Sequence, residues 1–285
     1  MAKPRGWLEW EPEQAREWIA VPLAEDDKYS RGVLGVCTGS EEYPGAAVLG
    51  VEAAMRAGVG MVRYLGPRRA SKLVLQRRPE VVTVPGQVQA WLLGSGMSAS
   101  TRDDATIEVL DKALADGVPT VCDAGALDLA SRANGPTVIT PHFRELAGLL
   151  STQRRPATAT EIAASPGEWA IRAAKLLGVT VLLKGAVTYM ASPSGAQLTV
   201  STAPAWLATA GSGDVLGGIL GALVATHPRE IETDAAALGA LAATAALIHA
   251  EAATRASAGG PITALDVAEA VPAAIAVLLG QHRSE

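Results

Sequence analysis

Residues 211–214, Gly-Ser-Gly-Asp, head an apolar run that reads Val-Leu-Gly-Gly-Ile-Leu-Gly-Ala-Leu-Val. An aspartate in that place either caps the helix that follows or does chemistry. Capping needs no glycines, and glycine weakens a helix unless the backbone must bend unusually or let another molecule come close. A glycine-rich helix start presents unpaired N–H groups at the positive end of the helix dipole, which makes a cradle for phosphate. Asp214 beside such a phosphate could take the proton from an attacking hydroxyl. The sequence Leu-Leu-Lys-Gly-Ala-Val-Thr at 182–188 puts Lys184 and Gly185 where a strand turns into a hairpin. Backbone there, with Thr188, either wraps a nucleotide phosphate or ribose or forms an ordinary hairpin with a surface lysine. Val-Ile-Thr-Pro-His (138–142) ends a strand in His142, and Glu145 lies three residues on, on the same helix face. His142 suits a ligand contact or a structural role; Glu145 suits orienting metal-bound water. Gly45, Ala46 and Ala47 leave room either for a bulky ligand or for close helix–sheet packing. Gly94-Ser95-Gly96 does not complete a dinucleotide fingerprint, and no P-loop pattern occurs, so any bound phosphate must use another cradle, which 211–214 can supply. Trp206 either stacks on a base or anchors its loop, and His249, inside an alanine-rich stretch, reads as structural.

These groups fall at the ends of short apolar runs, and those runs define the framework. Strands are predicted at 32–37, 60–65, 80–84, 89–93, 118–127, 136–140 and 179–184. Helical patterns over 45–58, 100–117, 143–150 and 165–177 alternate with them. Continuous apolar strands between helices indicate a parallel sheet covered on both faces. Residues 184–200 read as a hairpin turning at Ser192–Gly195. Beyond 212 the pattern is helical, with loops near 227–230 and 257–263. The expectation is one α/β domain over residues 1–285, its longest polar connection at 151–160. Ligands in such folds lie beyond the carboxyl ends of the strands. That directs attention to Thr38–Ser40, Gly94–Gly96, Asp123, Thr140–His142 and Lys184-Gly185.

The chain has 285 residues, 49% of them hydrophobic, and a net charge of −5, ample for a core and without the electrostatic footprint of a nucleic-acid binder. Arg68, Arg69, Lys72, Arg77 and Arg78 read as a solvated helix face. Cys37 and Cys122 end apolar stretches and read as buried thiols in a reducing compartment, too few for a zinc site. The first residues lack the apolar core of a secretory signal. Residues 235–250 read as a buried helix rather than a membrane span. A cytoplasmic protein with neither nucleic-acid nor membrane partners is expected.

Taken in order, Gly-Ser-Glu-Glu-Tyr-Pro-Gly-Ala-Ala, the Gly-Ser-Gly after a strand, Cys-Asp-Ala-Gly-Ala-Leu, Thr-Pro-His-x-x-Glu-Leu, Leu-Leu-Lys-Gly-Ala-Val-Thr and Leu-Ala-Thr-Ala-Gly-Ser-Gly-Asp-Val-Leu-Gly-Gly resemble the NAD(P)H-hydrate dehydratases over about residues 28–275. The resemblance implies a ribokinase-like three-layer α/β/α sandwich with a mostly parallel sheet. It implies ADP- or ATP-dependent dehydration of the S form of hydrated NADH or NADPH (NADHX, NADPHX), releasing AMP or ADP and phosphate, with Mg²⁺ balancing the phosphate charge. The pattern favours ADP. By this resemblance Ala46, Gly96 and His142 contact the hydrate. Lys184, Gly185, Ala186, Val187, Thr188 and Gly213 hold the adenine nucleotide, Asp214 meets both substrates as the base, and Glu145 organises metal through water. A homo-oligomer, a tetramer by resemblance, is implied, as is a separate epimerase. Phe143-Arg144 stand where Pro-Gly is usual, and Ser212 where threonine is common. A vitamin-precursor or sugar kinase of the same fold, and a non-catalytic nucleotide sensor, are the competing readings.

Overall fold

The strands are short, and the central ones are buried on both faces, with successive side chains pointing to opposite layers. In the computed structural model, which describes residues 6–100, 102–152, 156–234 and 236–280, they are β1 (Leu8–Glu9), β2 (Val33–Cys37), β3 (Met61–Tyr64), β4 (Ala90–Leu93), β5 (Thr120–Cys122), β6 (Thr137–Ile139), β7 (Thr180–Leu183), β8 (Thr188–Ala191) and β9 (Gln197–Val200). The helices are α1 (Pro12–Arg16), α2 (Pro44–Arg56), α3 (Arg68–Arg77), α4 (Asp104–Ala115), α5 (Phe143–Thr152), α6 (Ala159–Ala164), α7 (Pro166–Leu177), α8 (Ser212–Thr226), α9 (Pro228–Thr233), α10 (Ala237–Ser257) and α11 (Ala264–Leu278).

The strands form one sheet in the order β1-β9-β8-β7-β6-β5-β4-β2-β3. Every pairing is parallel except β7–β8 and β8–β9, and β8–β9 is the hairpin expected from the sequence. Successive strand residues point to opposite faces and so divide the core in two. Leu34, Val36, Leu92, Val121, Val138 and Leu182 face one layer, built on α1, α2, α3, α8, α10 and α11. Cys37, Leu93, Cys122, Ile139, Val181 and Leu183 face the other, built on α4 to α7. This is the three-layer sandwich. Among the described residues only α10 is long and apolar enough to cross a membrane, and it is buried between α8, α11 and the sheet. Both cysteines are free and buried.

Five expectations are corrected. The strand predicted at 118–127 is strand only over β5, and from Ala124 to Arg132 the chain turns into a 3-10 helix, which Asp123 precedes. Residues 80–84 form no strand: Val82 makes one bridge to Arg63, and the segment lies between Pro79 and Pro85, which offer no N–H to a ladder. The polar connection at 151–160 is shortened by helix, since α5 runs to Thr152 and α6 begins at Ala159. The loop near 227–230 is mostly α9. The basic run is only partly a solvated face. Arg77 and Arg78, with Arg56, converge on Glu52, whose side chain is 0% exposed. Burial works to raise the Glu52 pKa, but bonds from Arg78, Arg56 and Arg77 outweigh it and bring it down to about 2. The cluster ties α2 to α3, and Arg77 extends it to Glu269 of α11.

β2 and β4 are neighbours, while the chain between them leaves the pair to make β3 on the far side of β2. The winding direction therefore reverses between β2 and β4, and the crevice beyond their carboxyl ends is where an open α/β sheet accepts a ligand.

Candidate active site

Helix α8 begins without a side-chain cap. Its N-cap is Gly211, in the left-handed region at φ 87, a conformation that favours glycine. Asp214 is therefore not the capping residue; it lies in the first turn. The N–H groups of Gly213 and Asp214 have no hydrogen-bond partner among the described residues. They supply the unpaired donors that the glycine pattern implied. Gly213 is not in a left-handed conformation; a Cβ there would stand 3.4 Å from Lys184 Nζ, an ordinary contact that a larger side chain would tighten.

The Asp214 carboxylate makes no protein hydrogen bond among the described residues, so its lone pairs are free for a ligand. Its pKa is raised to about 7, first by burial and then by the negative charge of Asp123, with Lys184 opposing both. Near neutrality such a group exchanges a proton readily, the property a general base requires.

Lys184 follows β7, and its N–H donates to Pro141 O at 2.8 Å, which aligns it with His142 across a parallel bridge. Its ammonium donates to Asp123 Oδ1 at 2.9 Å and stands 3.8 Å from Glu145 Oε2. Burial alone would lower its pKa, but the Asp123, Glu145 and Asp214 carboxylates outweigh burial and raise it. The lysine is thus a fixed, charged, largely buried group, not the surface lysine of an ordinary hairpin. Gly185 and Ala186 are exposed and Val187 half-buried in the bend that leads to Thr188 at the start of β8.

His142 and Glu145 do something that the spacing did not specify. The His142 N–H donates to Glu145 Oε2 at 2.8 Å, and the Glu145 N–H donates to His142 Nδ1 at 3.1 Å. This reciprocal cap starts α5 in the manner of a capping box. With Nδ1 accepting, the neutral ring carries its proton on Nε2. The side chain is 51% exposed, so Nε2–H is a donor offered to the site rather than a core group. Phe143, at the unusual position after it, packs on the turn: a Cβ on Gly185 would meet Phe143 Cζ at 2.9 Å. Beside this contact a cleft of about 550 Å³ is lined by His142, Arg144, Thr160, Lys184 and Gly185.

Across the sheet, Ala46 occupies the first turn of α2, which Pro44 starts. Gly96 has φ +67, and a Cβ on it would overlap the Ala46 methyl. These two residues thus form one surface at the winding reversal, beside a cavity of about 130 Å³ bounded by Gly39, Ser40, Met97 and Arg102. Trp206 anchors its loop, Nε1 donating to Gly259 O at 3.3 Å, and 49% of the residue stays exposed. His249 is buried as expected, with Nε2 unpartnered. Burial, then the Lys184 charge, push its pKa down to about 4, so it is neutral.

The strand-end list contained Asp123 but not what it holds. Its carboxylate, in a residue only 3% exposed, accepts from Ser95 Oγ, Thr140 Oγ1 and Lys184 Nζ, so that four strand ends meet there. No local signal announces this convergence, because the partners lie up to 61 residues apart.

No group of three or more His, Cys, Asp or Glu suited to a metal occurs among the described residues. The nearest carboxylate with an outward face, Glu145, is already engaged by a backbone N–H. This donor set does not make a protein cage. It fits a Mg²⁺ ion that keeps its waters and is carried chiefly by phosphate oxygens.

A mostly parallel sheet with helices on both faces, an uncapped glycine helix start and a free carboxylate in its first turn define a protein of the ribokinase-like fold with a candidate anion cradle. The chain belongs to the NAD(P)H-hydrate dehydratase family, which it matches over residues 34–272. It is 43% identical over 228 residues to the bifunctional NAD(P)H-hydrate repair enzyme of Mycobacterium tuberculosis, a match covering 74% of this chain and 44% of that protein. The chain thus spans under half the length of that relative. It is 30% identical over 228 residues to the ADP-dependent (S)-NAD(P)H-hydrate dehydratase of Xanthomonas campestris, covering 72% of this chain and 76% of that one. Among solved structures, the ADP/ATP-dependent NAD(P)H-hydrate dehydratase of Bacillus subtilis, co-crystallized with ATP/Mg²⁺, superposes with a TM-score of 0.83 at 23% identity. That superposition covers 96% of this chain and 100% of that one, and it carries the fold.

Proposed function

We propose that the chain dehydrates the S form of hydrated NADH or NADPH at the expense of ADP, yielding NADH or NADPH, AMP and phosphate. The observation that carries this is Asp214: a carboxylate free of protein partners, with a pKa raised to about 7, in the first turn of an uncapped glycine helix start. The name of the Xanthomonas relative supports ADP as donor.

The nucleotide's phosphates lie against the free N–H groups of Gly213 and Asp214, with the Lys184 ammonium beside them and the turn 185–188 around the nucleotide. The hydrate enters at the Ala46–Gly96 surface, with His142 Nε2–H as a donor to it. Asp214 removes the proton from the ring hydroxyl as that oxygen bonds to the terminal phosphorus and the bond to the AMP oxygen breaks. The ring nitrogen lone pair then expels phosphate with the C–O electron pair, and loss of a proton from the neighbouring ring carbon restores the dihydropyridine. Mg²⁺ carried by the nucleotide, and reached by Glu145 through water, would supply charge neutralisation at the phosphates.

The unit is read as one domain over residues 1–285, supported by the single sheet. Epimerisation of the R form by a second activity, a cytoplasmic location and a tetramer belong to the same reading; light scattering of the purified protein tests the last. The function itself is tested by supplying hydrated NADH with ADP or with ATP and following dihydropyridine absorbance and free phosphate together. Phosphate and NADH appearing in equal amounts, faster with ADP, is the expected result. A stable phosphorylated product without NADH would make the protein a kinase of the same fold instead.

A further inference from the structure

We propose that Asp123 is a positioning residue for this reaction: its buried carboxylate holds the Lys184 ammonium at the mouth of the glycine cradle. The proposal rests on the dehydratase reading of the site and adds to it a residue that touches neither substrate.

The geometry of the carboxylate is divided between its oxygens. Oδ2 accepts from Ser95 Oγ at 2.9 Å, while Oδ1 accepts from Thr140 Oγ1 at 2.7 Å and from Lys184 Nζ at 2.9 Å. The two hydroxyls, from the ends of β4 and β6, fix the plane of the group and aim Oδ1 at the lysine. The backbone is held just as firmly. Ala124, the next residue, sits at φ 42, a left-handed conformation unusual for a residue with a side chain. Asp123 O lies so close to Gly94 that no Cβ fits between them. Such local strain persists only where the surroundings over-determine it.

A buried ion pair is a poor way to hold strand ends together, because desolvation offsets much of the attraction and apolar groups of the same size serve as well or better. What the pair does provide is placement. The Lys184 ammonium has three donors. Asp123 takes one, leaving the others toward Glu145 and toward Gly213. The lysine is therefore aimed before nucleotide arrives, which lowers the ordering cost of binding.

The second consequence concerns Asp214. The charged groups that act on it are Asp123 from β5 and Lys184 from β7, the first raising and the second lowering its pKa. His249 of α10 is neutral. Three other helices pack on α8: Glu52 and Arg56 of α2 are paired in the arginine cluster, Asp266 and Glu269 of α11 are bound to Thr263 and Arg77, and α9 follows the C-terminal end of α8, the end opposite Asp214. Removing the Asp123 charge takes away the like charge that opposes ionisation of Asp214 and frees Lys184 to turn toward it. Both changes make Asp214 a weaker base.

The test compares wild type, Asp123→Asn, Lys184→Met and the double variant, by calorimetry with ADP and by kcat against pH with hydrated NADH. Asp123→Asn is expected to weaken ADP binding roughly tenfold and to move the acid limb of kcat down by about one pH unit or more. The double variant is expected to bind ADP no more weakly than Lys184→Met alone, since Asp123 acts through the lysine. Should Asp123→Asn fail to fold, Lys184→Met against the double variant decides the matter. The limb moves up in the first, where Asp123 stands uncompensated, and back down in the second, with ADP affinity unchanged. Additive losses of ADP affinity, or a limb indifferent to Asp123, would overturn the proposal and leave a purely structural pair. If wild type binds ADP yet turns over no hydrate, the dehydratase reading fails, while the ADP affinities still decide the anchoring role.

Discussion

Replacing Asp214 by Asn separates catalysis from stability, and the structure sets the size of both effects. With a pKa of about 7, ionised Asp214 is the minor form in mild acid and the major form in mild base. The ionised fraction, and kcat with it, should rise roughly tenfold between about pH 6 and pH 8 and level off above. Asp214→Asn should abolish that limb and lower kcat by roughly 10² to 10⁴, the usual range for a general base. ADP should still bind, because the free N–H groups of the cradle are backbone. Stability moves the other way. An aspartate whose pKa is raised from 3.8 to about 7 on folding favours the folded state least above that value. The cost of its ionisation develops as pH rises from the unfolded pKa to the folded one and is complete above about 7, with an upper bound of about 4 kcal/mol. The Asn variant should therefore melt higher than wild type at alkaline pH and show little difference near pH 4. Stopped-flow turnover across pH and denaturant titrations at both ends of the range measure the two effects. A folded variant with near wild-type kcat, or a wild-type limb centred in the ordinary carboxylate range, would refute the assignment of Asp214 as the base.

Glu52→Gln leaves three guanidinium groups without their shared buried carboxylate. A pKa held at about 2 instead of 4.5 corresponds to about 3 kcal/mol of stability, fully present above 4.5 and lost as pH falls toward 2, so urea melts of wild type and variant should converge in acid. His142→Asn keeps a side chain that caps helices well, so stability should change by less than about 1 kcal/mol while KM for the hydrate rises; a large drop in Tm with unchanged kinetics would return His142 to a structural role. Gly213→Val puts its branches against Lys184 Nζ, 3.4 Å from the Cβ position. ADP affinity should fall at least roughly tenfold, about 1.4 kcal/mol by calorimetry, with the fold intact; unchanged affinity would move the phosphates off the cradle.

Local pattern decided more of this protein than its alanine-rich composition suggests. Parallel strands buried on both faces are unbroken apolar runs, so β2, β3, β4, β6 and β7 could be read to within a residue or two. The hairpin turn at Ser192–Gly195 and the glycine helix start at 211–214 were equally legible, because turn and cap chemistry lie within a few neighbouring residues. Residues 80–84 misled because β-branched side chains signal a strand only where the backbone can pair, and prolines bound the segment on both sides. The site divides in the same way. Asp214, Lys184 and His142 stood out because each ends or begins an element in a recognisable motif. The His142–Glu145 cap is local, three residues apart, but tertiary structure alone decided that Asp123 would grip Lys184 and that Gly96 would close on Ala46. It also decided that a helix face of arginines would bury a glutamate. The Asp123–Lys184 and Ala46–Gly96 contacts join segments brought together by strand order, and the arginine cluster joins two helices packed on the sheet; all depend on packing over the whole sheet, which no short stretch of sequence contains.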